Sequence, residues 1–462
     1  MTVQCSCVHV RLWVTTVSIL LTLCLTSAQA QAAGAGVAPT ELDMSLHIGW
    51  EVDQATHANV CTVTGAEQCQ AGREGGEAGG FSYPASVAID PRTGNLYVAD
   101  LDNYRIEQFT DSGDFLAMFG WDVNKTEDQR LTATGAERDI CTAASGDWCG
   151  AGLLGAAAEQ LAFPASLAVA PAGGDVYVLE ATPGDYRVDE YAPDGRFAWT
   201  IGKEVNDTTK ASICEEREIE RSGVKCGEGQ ENTADKLQPA AFKFAPQSGD
   251  LLAVGGPEEL LYVGDEHRVQ EFDASGAWRG EILLASISAK AGSSVGALAV
   301  DRDGRLYLVY DERSNASTEH ADVIRDFDRQ GEEVGQFSVY PELANAEVHI
   351  DGIAIEGPDL IAAIGVEFGP GFSRRFGRLY ETGTGRLVGE FAPPKDDDGV
   401  ASNAAGDLFV PVTDYQEVAV YVPAPASELV TSPLACQAEP AEELSVSFEC
   451  ALNRSPWVPA LL

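Results

Sequence analysis

The chain has 462 residues, with 30 Lys and Arg against 72 Asp and Glu, a formal net charge of −42. Such acidity argues against nucleic acid and anionic lipid as partners, because both require basic patches. With 45 % of residues hydrophobic the chain is not disordered overall, and its length suits one large all-β domain plus a small appendage.

Residues 1–30 have the form of a secretory signal. Arg11 precedes an apolar run from Leu12 to Leu25, and Ala28-Gln29-Ala30 offers a cleavage site. Retention of this segment as an amino-terminal anchor is the alternative; lipidation at Cys24 is disfavoured by Leu23, where a small residue is needed. No later stretch reaches the roughly 20 apolar residues of a membrane helix. The mature chain is therefore expected to be exported, secreted or held at the cell surface, with no stable membrane span.

From about residue 45 the dominant feature is repetition. Residues 81–121 and 163–202 each hold four short runs of period-2 alternation, broken by Gly, Asp, Asn and Pro, and so predict four-stranded antiparallel meanders. The second run recurs as Leu96-Tyr97-Val98, Val176-Tyr177-Val178, Leu261-Tyr262-Val263 and Leu306-Tyr307-Leu308. The third recurs as Arg105-Ile106-Glu107-Gln108-Phe109, Arg187-Val188-Asp189-Glu190-Tyr191 and Arg268-Val269-Gln270-Glu271-Phe272. Looser copies follow over 295–339 and 348–391, and a last one from Val400 stops at Val422, one strand short. The missing strand is expected at the front, where Leu46-His47-Ile48-Gly49-Trp50 matches Met118-Phe119-Gly120-Trp121. Six meanders closed by strand exchange predict an all-β, six-bladed β-propeller over residues 45–422. Closure leaves no open sheet edge around the ring.

The cysteines after residue 30 fall into four near pairs: Cys61 with Cys69, Cys141 with Cys149, Cys214 with Cys226, and Cys436 with Cys450. Behind an export signal, and with no C-x-x-C or clustered His, these read as disulfides rather than metal ligands. The first three lie in long insertions between blades, which open alike: Gly49-Trp50-Glu51-Val52-Asp53, Gly120-Trp121-Asp122-Val123-Asn124 and Gly202-Lys203-Glu204-Val205-Asn206. We term these insertions crowns. Connections of this length are functional or disordered, and a disulfide in each favours function. Propeller connectivity places all three on one face, walling half of the rim. Trp50, Trp121 and Trp148 are the candidate partner-binding residues, since Trp is enriched at interaction hot spots; for Trp50 and Trp121 the competing role is to cover the outer strands. Sequons at Asn124 and Asn206 are expected on exposed crown loops, with two more at Asn315 and Asn453.

The stretch from Pro84 to Gly113 resembles the NHL-repeat family of propellers, on Val87-Ala88-Ile89-Asp90, Gly94-Asn95-Leu96-Tyr97-Val98-Ala99-Asp100, Asn103 and Arg105-Ile106. The resemblance extends loosely over the later blades and implies the propeller fold, while propellers host scaffolds, receptors and enzymes alike. Within the repeat, Asp100, Asp265 and Asp311 are expected to accept hydrogen bonds, and Arg105, Arg187 and Arg268 to pair with such carboxylates.

Propeller lactonases and amidating lyases hold a metal at the mouth of the axial channel. Here His47, His57, His267, His320 and His349 do not repeat between blades, and no metal-ligand set is legible. The acidic turns Asp301-Arg302-Asp303-Gly304 and Asp396-Asp397-Asp398-Gly399 are the candidate calcium positions, but neither continues as an EF-hand loop. No cofactor and no catalytic residue is predicted. Residues 423–462 begin as a Pro- and Ala-rich linker and continue as a hairpin-like tail resembling part of an immunoglobulin or fibronectin module. The expected function is a secreted or surface-attached scaffold that binds a protein or glycan; the alternative is a metal-dependent hydrolase or lyase.

Overall fold

The computed structural model describes residues 42–424 apart from 64–67, 131, 183–184, 233–237, 245–249, 266–267, 285–294, 311–321, 343–345 and 394–398. The signal, the tail with Cys436 and Cys450, and Asp311, His267, His320, Asn315, Asn453 and the turn at Asp396 lie outside the described residues.

The amino-terminal strand β1 (Leu42–Gly49) is followed by a short β2 (Val60–Thr62). Blade one is β3 (Pro84–Ile89), β4 (Leu96–Asp100), β5 (Arg105–Phe109) and β6 (Phe115–Phe119), with β7 (Ile140–Thr142) added outside. Blade two is β8 (Pro164–Val169), β9 (Val176–Thr182), β10 (Asp185–Tyr191) and β11 (Phe197–Gly202), with β12 (Ile213–Glu215) added outside. Blade three comprises β13 (Leu252–Gly255), β14 (Leu260–Asp265), β15 (Arg268–Phe272) and β16 (Trp278–Leu283). Blade four comprises β17 (Val295–Val300), β18 (Leu306–Tyr310), β19 (Asp322–Phe327) and β20 (Glu333–Val339). Blade five comprises β21 (Glu347–Glu356), β22 (Leu360–Gly369), β23 (Phe372–Glu381) and β24 (Leu387–Phe391). Blade six holds β25 (Ala401–Ser402), β26 (Leu408–Val412) and β27 (Glu417–Pro423), completed by β1, with β2 outside it. Two short helices, α1 (Gly135–Asp139) and α2 (Glu216–Ser222), belong to crowns.

Six sheets and strand-exchange closure are as the repeats predict. β1 runs antiparallel to β27, from Leu42 opposite Pro423 to Gly49 opposite Glu417. The inner strands of blades one and two bury both faces, β3 at every position, because each sheet lies between two others. The core is accordingly a ring of apolar layers between neighbouring blades. Val87, Leu96 and Val98 pack on Phe409 and Val418 between blades one and six, and Tyr97 and Ala99 on Leu167 and Val178 between blades one and two. Near the end of the third strand the register slips by one residue in blades one to five, as at Gln108/Phe109 and Glu190/Tyr191. Such bulges increase strand twist, which lets the blades fan around one axis.

Near that axis, Asp250 of blade three reaches across the ring. Its carboxylate accepts from Ser86 Oγ of blade one at 2.6 Å and from Val400 N of blade six at 3.3 Å, while its carbonyl accepts from Leu298 N of blade four. Ser86 Oγ accepts from Leu167 N, and Ser166 Oγ from Leu251 N and Leu252 N, so five blades share one buried polar network.

Candidate interaction face

Each crown starts from the outer strand of one blade and ends at the inner strand of the next. Its first residues turn sharply: Glu51, Asp122 and Glu204 all take a left-handed backbone, at φ 56°, 56° and 60°. This turn buries Val52, Val123 and Val205 completely. The following side chain caps the loop. Asp53 Oδ1 accepts from the backbone of Ala55 and Thr56, Asn124 Oδ1 from Thr126 and Glu127, and Asn206 Oδ1 from Thr208 and Thr209. Asn124 and Asn206 are 3 % and 1 % exposed, which corrects the expectation that these sequons sit on exposed loops. The sequon threonines are also engaged, Thr126 Oγ1 by Trp148 N and Thr208 Oγ1 by Lys225 N.

The chain then doubles back as a fifth strand, with β2 on β1, β7 on β6 and β12 on β11. The centre of each is a cysteine, and disulfides Cys61–Cys69, Cys141–Cys149 and Cys214–Cys226 join it to the returning strand with Cα atoms 5.6 Å apart in all three. The second cysteine in turn bridges the capping residue: Asp53 with Cys69, Asn124 with Cys149, Asn206 with Cys226. The sequence carries no signal for the fifth strands, because three residues are too few to show a period.

The return segment lies against the start of the third strand of the preceding blade or the turn just before it, which places all three crowns on one face. A Cβ on Gly72, Gly152 or Gly229 would stand 2.3, 2.4 or 2.0 Å from the carbonyl oxygen of Gln416, Tyr104 or Tyr186. Only glycine permits that approach. The sequence signal for it is a thrice-repeated C-x-x-G, at Cys69, Cys149 and Cys226.

Each crown ends on a buried arginine of the next blade. Arg105 donates to the carbonyls of Gly76, Glu77 and Gly80, Arg187 to those of Ala156 and Gln160, and Arg268 to those of Gln238 and Ala241. Arg105 also pairs with Asp100 at 2.9 Å and with Glu107, Arg187 with Asp189 at 3.1 Å, and Arg268 with Asp265 at 3.0 Å. Asp100, Glu180 and Asp265 meanwhile accept the backbone N–H of Ser82, Ala162 and Lys243, in the segment that leads to the inner strand. Burial pushes Glu107 up to about 8 against the pull of Arg105. It does the same to Glu180, beside Asp185. The repeat arginine is thus a staple for the crown as well as an ion-pair partner.

The guanidinium of Arg73 lies 5.4 Å from the ring centre of half-buried Trp50, and Arg138 stands likewise over Trp121. Trp148 is 61 % exposed, and Leu153 and Leu154 of the same crown are also exposed. Between crowns two and three runs a groove of about 710 Å³, with Trp121, Ala157 and Glu159 on one wall and Ile219 and Val224 on the other. On the opposite half of this face, β22 and β23 extend to ten residues each, so that half carries a tall hairpin.

His47 pairs with Glu417 at 2.9 Å, and His349 lies 3.6 Å from both Asp322 and Asp351. Among the described residues no three His, Cys, Asp or Glu side chains converge as metal ligands do. Asp301 accepts from the backbone of Asp303 and Arg305, a hairpin-turn role. No described helix is long and apolar enough to cross a membrane.

Residues 81–109 match a family model described as NHL repeat. None of the curated proteins matches the chain. Among solved structures, the hydrazine synthase of Kuenenia stuttgartiensis is 12 % identical, over 74 % of this chain and 76 % of that one, with a TM-score of 0.41. A streptogramin B lyase is 10 % identical over 74 % and 94 %, with a TM-score of 0.38. The Cps50 (Swd1) β-propeller domain of Myceliophteria thermophila is 10 % identical over 74 % and 97 %, with a TM-score of 0.40. At these distances none of their activities carries over.

Proposed function

We propose that this chain, a six-bladed β-propeller in which one stretch matches the NHL repeat, is an exported scaffold that binds a protein partner through its crowned face. The carrying observation is the threefold construction of the crowns. Cap, fifth strand, disulfide, close-approach glycine and buried arginine recur in each, so three long loops are held rigid on one side of the ring. Rigid presentation lowers the ordering cost of association. Crown two supplies the exposed apolar anchors Trp148, Leu153 and Leu154. Export rests on the amino-terminal signal and is supported by the three disulfides.

The test is capture from the extracellular fraction of the source cells, comparing the mature protein with Trp148→Glu. A protein retained by the first and lost from the second supports the reading; identical capture by both overturns it. Elemental mass spectrometry of the desalted protein addresses the rival hydrolase or lyase, which requires one tightly held metal per chain.

A further inference from the structure

Beneath the lip of the groove, where crown two meets crown three, lies a notch of about 20 Å³ lined by Asp139, Glu159, Glu216, Tyr191 and Arg196. It has room for a single water-sized group. Asp139, the last residue of α1, is 4 % exposed; its Oδ1 accepts from Asp122 N at 2.7 Å, but its Oδ2 meets no donor of the protein. That orphaned oxygen and Glu159 Oε2 converge on Gly135, where a Cβ would be 3.4 Å from the first and 3.3 Å from the second. The nearby cations have other partners: Arg138 pairs with Asp122 and stacks on Trp121, and Arg196 pairs with Asp194.

Glu159 is itself out of place by backbone preference. The equivalent positions at the ends of crowns one and three are Gly79 and Ala240, and all three take a left-handed backbone, at φ 77°, 53° and, for Glu159, 68°. Crown two alone puts a carboxylate where glycine is favoured, and it faces another carboxylate.

We propose that this notch binds a primary ammonium group, the lysine side chain of a protein partner lying in the groove between crowns two and three. The identity of the partner rests on the crowned-face reading; the ammonium site does not. An ammonium has three donors and the size of a water molecule, which suits an orphaned Asp139 Oδ2 and an opposing Glu159. A guanidinium is too broad for the notch. Burial, with Glu159 and Asp122 adding repulsion, pushes Asp139 up to about 7. Glu159 is also raised, first by burial, against the pull of a side-chain hydrogen bond with Asp139 and with Glu216 adding repulsion, so the two carboxyl groups share a proton when no cation stands between them. At low pH the pair therefore holds a proton that the ammonium must displace, and binding should strengthen as pH rises through neutrality.

The experiment uses the mature protein with 15N-labelled tryptophan, following the Trp121 indole resonance. The probes are a capped Ala-Ala-Lys-Ala-Ala peptide, the same peptide with acetyl-lysine, and calcium chloride. A saturable shift with the lysine peptide at pH 8 is expected. It should be absent with acetyl-lysine and at least about tenfold weaker at pH 5.5, where Asp139 holds its proton. Glu159→Gln, near-isosteric, should abolish it; the peptide and pH comparisons need no variant and stand if that protein fails to fold. No saturable shift at pH 8, an equal shift from acetyl-lysine, or a shift driven by calcium overturns the proposal. Capture through Trp148 does not require the notch, so either reading can fail alone.

Discussion

Arg105 shows how much one side chain carries here. Fully buried, it joins Asp100 and Glu107 to three backbone carbonyls at the end of crown one. Replacing it with an apolar residue strands two buried carboxylates, a loss of about 3–5 kcal/mol when one partner of a buried pair is removed. Arg105→Met should lower the urea midpoint accordingly, whereas a change within error would show that the carboxylates find other partners. Glu190 makes the pH dependence testable. Burial, with Asp175 adding repulsion, pushes it up to about 8, against about 4.3 in an unfolded chain. The fold therefore binds this proton more tightly than the unfolded chain does. Its contribution is full below the unfolded value and is lost as pH rises through about 8. Glu190→Gln should accordingly gain thermal stability relative to the native protein at pH 8 but not at pH 4, read from the melting temperature at each.

At the scale of the element, the crown behaves as a repeat within the repeat. Gln70, Gly150 and Gly227 donate to the carbonyls of Val52, Val123 and Val205, and Arg73, Leu153 and Gln230 to those of Trp50, Trp121 and Lys203. Two asparagines within this frame form N-x-T sequons, yet their side chains are committed to the loop. In a host that glycosylates secreted chains, peptides spanning Asn124 and Asn206 should keep their unmodified mass after folding. A glycan at either position would mean that modification precedes closure of the crown. The motif there records a capping geometry, since Asp53 does the same work in crown one without being a sequon.

For the whole molecule, closure rests on one strand from the front of the chain. β1 pairs along its length with β27 and carries β2 on its other edge. Removing residues 42–49 takes away the outer strand of blade six, the root of crown one and buried Ile48, and exposes β27 as an open edge. Exposed edges invite association between chains. The truncated protein should elute as oligomers and lose its cooperative unfolding transition; a monomer with a sharp transition would show that five complete blades and a partial sixth are self-sufficient. Asp250, by contrast, ties blades three, one and six near the axis, a link that no pairing of adjacent strands provides.

The sequence by itself determined the blade count, the closure by β1 and the cysteine pairing of the three described crowns. Each rests on local information: period-2 alternation, turn residues, and cysteines close in the chain. The pairing of Arg105 with Asp100 was legible for the same reason, since strand register places them opposite each other. Tertiary structure alone decided what those residues do beyond their own blade. The repeat arginines hold crown carbonyls that arrive from an insertion, Asp250 meets Ser86 across 164 residues, and Asn124 turns inward. Asp139 and Glu159 come together because α1 and the end of crown two fold onto one another. No period or spacing encodes such contacts, because they depend on where separately formed elements pack.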